Sequence, residues 1–290
     1  MDELLPAVAR DIRSIAPRES YESHTIPDAL TILRDYVDDK APSDASRPHL
    51  KLGRVLTTLR DYKFLATLLA DCEEWLKFFY FSSLCRASLY LREVTSGFNE
   101  RALLRVPLAT RALVELFLYT FHVYKTVYRH QTEAKALPAG RARDAIAIQI
   151  KERDFLMKQA SATRVNWDDP FGSAWAKVRD DVWQTNVLSL IPKLPADQRG
   201  KVERWYALLS DACHPNFGSV LFVLDHERLE AESQPVFPFT TSNGLAHLQL
   251  VVDLVTAPLG FTCVQLVGFW GQLERIIAHY RNGVLRFKDR

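Results

Sequence analysis

Apolar residues recur at the three-and-four spacing of an amphipathic helix along most of this chain. Between Leu50 and Val94 they fall at Leu52, Val55, Leu56 and Leu59, then Leu65, Leu68 and Leu69, then Leu76, Phe79 and Tyr80. Only Gly53, and no proline, interrupts them. The pattern predicts one very long helix or two in line, stopped at Gly97, because glycine enters the left-handed conformation that closes a helix without a Cβ clash. A helix is predicted over 103–133, with Pro107 in its first turns, and a more polar one over 141–163. The turn DDPFGS (168–173) offers Ser173 as the N-cap of a helix to about Ser189. Pro192 and Pro195 bracket a connection to a helix over 196–213. The last helix spans 245–280 and should kink at Pro258.

Two stretches fall outside this rhythm. Residues 1–48 carry five prolines (Pro6, Pro17, Pro27, Pro42, Pro48), with helical pieces predicted at 2–15 and 27–38, the second opened by Pro27. They read as a helical or irregular extension, leaving 49–290 as the main helical domain. Residues 215–244 form one long irregular loop in which 220–224 reads as a short strand or an extended segment, and long loops in compact domains are often functional or mobile. The predicted class is all-α: an up-and-down bundle of long antiparallel helices.

Composition narrows the class further. Hydrophobic residues make up 48% of the 290, which supports a substantial core, and 11 Gly and 14 Pro are few enough for long helices. With 16 Phe, 10 Tyr and 6 Trp at a net charge of +2, the chain does not have the composition of a disordered one. That charge demands no polyanionic partner. The basic end (Arg281, Arg286, Lys288, Arg290) reads as a solvated tail. Cys72, Cys85, Cys213 and Cys263 are scattered without a C-x-x-C, so no metal, cofactor or disulfide framework is expected. No basic-then-apolar leader follows Met1, so the cytoplasm is the expected compartment. Residues 259–270 carry no charge, but His247, Gln249, Asp253, Pro258 and Gln265 interrupt the wider apolar stretch. A spanning helix needs ~20 apolar residues, so a buried core helix and no membrane partner are expected.

Two segments bear candidate chemistry. On a helix over 108–130, Glu115 lies about +40° and His122 about +20° from Arg111 in projection, with Lys125 and Arg129 continuing the line. Leu113, Val114, Phe117 and Phe121 flank it, so charges run along a core-like helix. Such charges need partners, and Arg111 and Glu115 can supply each other. In the second segment Tyr206, Ser210 and His214 share a face at i, i+4 and i+8. Pro215 ends the helix at His214, and Asn216 begins the turn. An imidazole at a helix end is placed for acid–base work or for capping. Cys213 precedes it, but adjacent helical residues point apart and make no ready Cys–His couple. G-x-S-x-G, G-x-x-x-x-G-K-[ST] and H-E-x-x-H are absent.

The R-x-x-x-E of Arg111 and Glu115, followed downstream by the S-x-x-x-H-P of Ser210, His214 and Pro215, resembles uncharacterised bacterial all-helical families similar to the HEPN superfamily (higher eukaryotes and prokaryotes nucleotide-binding). The resemblance implies a helical bundle, often a homodimer, with RNA or a nucleotide as partner. It also implies metal-independent ribonuclease chemistry in defence systems, with an Arg holding phosphate and a His moving protons, usually spaced R-x(4–6)-H. This chain departs from that spacing. Arg204, the nearest Arg before His214, is ten residues away, about 80° off in projection and roughly 15 Å along the axis. Arg111 would have to serve instead.

Two expectations follow. The first is a binding or regulatory protein, linked to defence or stress, with a polar site between helices. The second is a HEPN-type ribonuclease using His214 with Arg111, supported by Glu115 and Ser210. In either, Tyr206, Asn216 and His122 are the ligand-facing candidates. A third, a nucleotide or small-molecule pocket at the same place, would be roofed by the loop 215–244.

Overall fold

The structure, a computed structural model, describes residues 3–40, 62–138, 141–161, 186–214 and 245–288. Among these it is all-α, as the spacing predicts: α1 (Pro6–Ser14), α2 (Ile26–Lys40), α3 (Tyr62–Asn99), α4 (Arg105–Lys135), α5 (Ala142–Ser161), α6 (Ala196–Cys213) and α7 (Leu245–Lys288). Two single 3-10 turns, Val187–Ser189 and Ile191–Lys193, lead into α6. The only pairing of extended backbone among the described residues is an isolated bridge between Tyr21 and His24. The expected helix from Ser173 lies outside the described residues up to 185, and its expected end is only the 3-10 turn Val187–Ser189; the loop 215–244 with its piece at 220–224, and Asn216, also lie outside them.

The chain resolves into two compact units. One comprises 1–41, 84–119 and 190–268, and the other 42–83, 120–189 and 269–290. This division differs from the boundary at residue 48 that the prolines suggest. Residues 3–40 belong to the first unit, because α1 and α2 bury Val8, Ile12, Ile26, Leu30, Leu33 and Val37 there. The helices α3, α4 and α7 each contribute to both units.

Local chemistry explains the helix starts. Pro6 opens α1, where its missing N–H would have no partner anyway. The α2 start is a reciprocal cap: Thr25 donates from its backbone and hydroxyl to Asp28 Oδ2 (3.1 and 2.6 Å), and Asp28 N–H returns to Thr25 Oγ1 (3.4 Å). The hydrogen bond from the Thr25 side chain holds the Asp28 carboxyl below its usual range.

In the first unit, Phe261 of α7 is an aromatic hub. Its ring lies 5.1 Å from Tyr21, 5.2 Å from Phe117 of α4 and 5.5 Å from Trp205 of α6. In the second unit Trp270 is fully buried and donates to Ser83 Oγ (3.0 Å), while Tyr80 of α3 donates to Glu274 of α7 (2.6 Å). The stretch 247–282 of α7 is long and apolar enough to cross a membrane, its most apolar window having a mean hydropathy of 1.8, yet 67% of that window is buried within the protein. The helix is continuous across Pro258.

Gly97 does not stop α3, which continues to Asn99. A Cβ at Gly97 would meet Val106 Cγ2 at 2.8 Å and Arg105 Cβ at 3.3 Å. The glycine therefore lets the first turn of α4 press onto the last turn of α3. The connection between them turns through Arg101 at φ 57°, held by Asp11 at 2.7 Å.

Two glycine variants separate packing from helix propensity. Gly97→Ala should lower stability by about 1–3 kcal/mol, because the methyl overpacks against Val106. Gly200→Ala, in a helical position with nothing within 4 Å, should raise it by ~0.5–1 kcal/mol through propensity alone. Denaturant melts of both variants beside the parent check the pair; equal gains would remove the close-approach account of Gly97.

Candidate functional site

The polar site of the first unit lies where α4 meets α6. Glu115 follows Arg111 by one turn, and Arg111 Nε stands 3.2 Å from Glu115 Oε1. From α6 the Tyr206 hydroxyl enters between the two charges. It accepts from Arg111 Nη2 at 3.1 Å and donates to Glu115 Oε1 at 3.0 Å, using both halves of a hydroxyl's capacity. The guanidinium also lies 5.2 Å from the centre of the Tyr206 ring. Arg111 is thus held by an ion pair, a hydrogen bond and a ring face.

This closure shows in the protonation equilibria. Burial disfavours the Arg111 charge, but the hydrogen bond to Tyr206 and the fields of Tyr206 and Glu115 outweigh it and hold the guanidinium above its ordinary range. Burial pushes the Tyr206 phenol up, against the pull of Arg111. Cys213 lies beside Arg111, yet burial raises its thiol too. A reactive cysteine needs a lowered thiol, so Cys213 is not an activated nucleophile.

The two sequence segments therefore do meet, through Tyr206 and Cys213. Ser210, on the same face, has its Oγ buried with no hydrogen-bond partner among the described residues. The Ser210 carbonyl accepts the backbone N–H of His214 at 3.0 Å. His214 sits at the predicted helix end in extended conformation (φ −87°, ψ 150°), with its side chain exposed. Its backbone, not its ring, caps α6. Arg204, the residue with the wrong spacing, pairs instead with Glu19 at 2.6 Å.

His122 falls elsewhere. It belongs to the second unit, where its ring meets Phe155 of α5 edge-on at 5.4 Å. The line of charges along α4 is likewise divided: Lys125 lies over Phe121 at 5.5 Å, and Arg129 pairs loosely with Glu133 at 3.8 Å.

A second polar cluster, in the second unit, is invisible to motif reasoning. Glu152 of α5 is fully buried. Tyr280 of α7 donates a hydrogen bond to its Oε1, and His130 Nδ1 of α4 lies 3.7 Å from its Oε2. The sequence around it, KERD, looks like a solvated helix face. The one signal is the spacing of Gln149, Glu152 and Leu156, which puts all three on the buried side.

No family model matches this chain, and neither a curated protein nor a solved structure resembles it significantly.

Replacing Tyr206 by Phe keeps the ring under Arg111 but removes the bridging hydroxyl. It should destabilise the protein by ~1.5–3 kcal/mol, the range for a hydrogen bond to charged partners. His214→Ala should change stability by less than ~0.5 kcal/mol, because its ring is exposed and the backbone does the capping. Urea titrations of the two variants test the assignment; a larger loss in His214→Ala than in Tyr206→Phe would reverse it.

Proposed function

We propose that this is a binding or regulatory protein whose polar site is the α4–α6 seam of the first unit. The observation that carries the reading is the Tyr206 hydroxyl, which closes Arg111 and Glu115 onto one another. A cation that must stabilise a phosphate in a transition state works best when aimed at the reacting group. Here the guanidinium is neutralised by its own helix neighbour and covered by a ring. Such a matched network fixes how two helices pack. It leaves the exposed His214 and the half-exposed Glu115 as the groups a ligand meets. Cytoplasmic location, a role in defence or stress, and RNA or a nucleotide as ligand belong to the same reading. The role in defence or stress and the RNA or nucleotide ligand rest on the resemblance to HEPN-like families, as does a homodimeric assembly.

The alternative, a metal-independent ribonuclease using His214 with Arg111, keeps one observation in its favour. Cys213 lies beside Arg111, and His214 follows it directly at the open end of α6.

The two readings separate in one assay. Single-stranded RNA is incubated with the parent protein and His214→Ala in EDTA, while fluorescence anisotropy follows binding. Binding without cleavage, weakened by His214→Ala, is the expected result. Cleavage by the parent that disappears in a normally melting His214→Ala would replace the binding reading with the ribonuclease. Neither binding nor cleavage would withdraw RNA as the ligand and leave the seam as packing alone.

A further inference from the structure

The most unusual group in the molecule is Glu152, and its surroundings define what it can do. Its side chain has no exposed surface, and no Lys or Arg forms an ion pair with it among the described residues. An ionised carboxylate there would lack the partner that buried charge requires. Its only hydrogen bond among the described residues comes from the Tyr280 hydroxyl on Oε1. Among the described residues the other oxygen, Oε2, has no hydrogen-bond partner, and neither has His130 Nδ1, which faces it at 3.7 Å.

Two unpartnered atoms that face one another imply a missing proton position. A carboxyl protonated on Oε2 donates to a neutral imidazole Nδ1 once the pair closes by under an ångström. Both sites are then satisfied and no net charge is buried. The protonation equilibria run the same way. Burial, only partly opposed by the Tyr280 hydrogen bond, pushes the Glu152 carboxyl up to about 7. Burial, with Arg129 and Lys151 adding to it and Glu133 opposing, holds His130 below its ordinary range. Tyr280 is held well above its own range, mainly by burial, so it stays a donor.

The charged and titratable groups around Glu152 come from four helices. The α3 helix brings Cys72 and Asp71, and burial raises both of them. Cys72 contacts Gln149 of α5 through its thiol, and Glu73 next to it takes Lys77 and Arg281. The α4 helix brings His130, flanked by Arg129 and Glu133. On α5 itself Lys151, Arg153 and Asp154 flank Glu152, with Arg153 turned onto Asp154 at 2.7 Å. The α7 helix brings Tyr280 and Arg281, and Arg281 is held 3.3 Å from Glu73.

We propose that Glu152, His130 and Tyr280 form a proton-operated latch in the second unit: a neutral Glu152 locks α5 to α4 and α7, and loss of its proton loosens α5. The direction follows from linkage. An acid whose folded form binds its proton more tightly than the unfolded chain contributes stability that is complete below pH 4.5, the unfolded value. That stability is lost as pH rises through about 7. The folded-to-unfolded ratio attributable to this group should fall by roughly two orders of magnitude across that window. His130 acts oppositely: its contribution is present above its ordinary imidazole range and is lost on acidification. The two contributions therefore run in opposite directions with pH, and comparison with a side chain at position 152 that cannot ionise isolates the Glu152 part.

The test uses the full chain, the parent beside Glu152→Gln, at closely spaced pH from 5 to 8.5. Glutamine keeps the shape and cannot ionise. The parent should lose several degrees of Tm relative to Glu152→Gln as pH rises, and amide exchange in 142–161, corrected for its intrinsic pH dependence, should accelerate in the parent alone. Parallel curves for the two proteins would overturn the latch. If Glu152→Gln does not fold, the side-chain carboxyl carbon shift of Glu152 in the parent decides. Titration near neutrality supports the latch, and titration together with the exposed glutamates refutes it.

Discussion

The 44-residue helix α7 has too little polar surface to stand in water, and much of the rest is arranged around that fact. In the first unit it buries Val251, Val252, Val255, Leu259, Phe261, Cys263 and Leu266. In the second it buries Trp270, Leu273, Ile276, Ile277 and Tyr280. Each large apolar side chain removed from water contributes ~1.5–3 kcal/mol before the entropy of ordering is subtracted. A helix so apolar has to be met by other helices along its length. The aromatic contacts of Phe261 and the indole of Trp270 show how closely they fit.

Burying long helices brings polar groups inside with the apolar ones, and the two units handle this differently. In the first, opposite charges on one helix turn meet a hydroxyl that donates to one and accepts from the other, while the buried Arg111 Nε makes no hydrogen bond among the described residues. In the second, an acid without a basic partner is taken into the core beside a phenol and an imidazole. In the first solution the partners of Arg111 outweigh its burial and keep its charge. The second stays neutral only while its proton remains, so the chemistry of that unit is tied to pH.

For function, the arrangement at α6 matters more than the identity of any one residue. The resemblance to HEPN-like families rests on Arg111, Glu115, Ser210 and His214. The fold does bring their helices into contact. What it adds is Tyr206, which turns a cation suited to phosphate into half of a closed pair. A ribonuclease would have to open that pair; a binding protein can use it as it stands.

Helix periodicity, the proline in the first turn of α2 and the stop before Pro215 are local effects, and the sequence by itself determined them. The limits of α6 and the all-α class follow from such effects, because hydrogen bonding within a helix and the spacing of apolar residues depend only on near neighbours. The same locality misread Gly97. A glycine that ends a helix and one that admits another helix look alike until Val106 is in place. It also split the line of charges along α4, which a projection joins and the fold divides between two units, leaving His122 against Phe155. Only the tertiary structure decided that Tyr206 bridges Arg111 and Glu115, and that a glutamate amid KERD is buried. Which face of a polar helix turns inward is set by the helices it meets, through contacts 91 residues apart for Tyr206–Glu115 and 128 apart for Tyr280–Glu152.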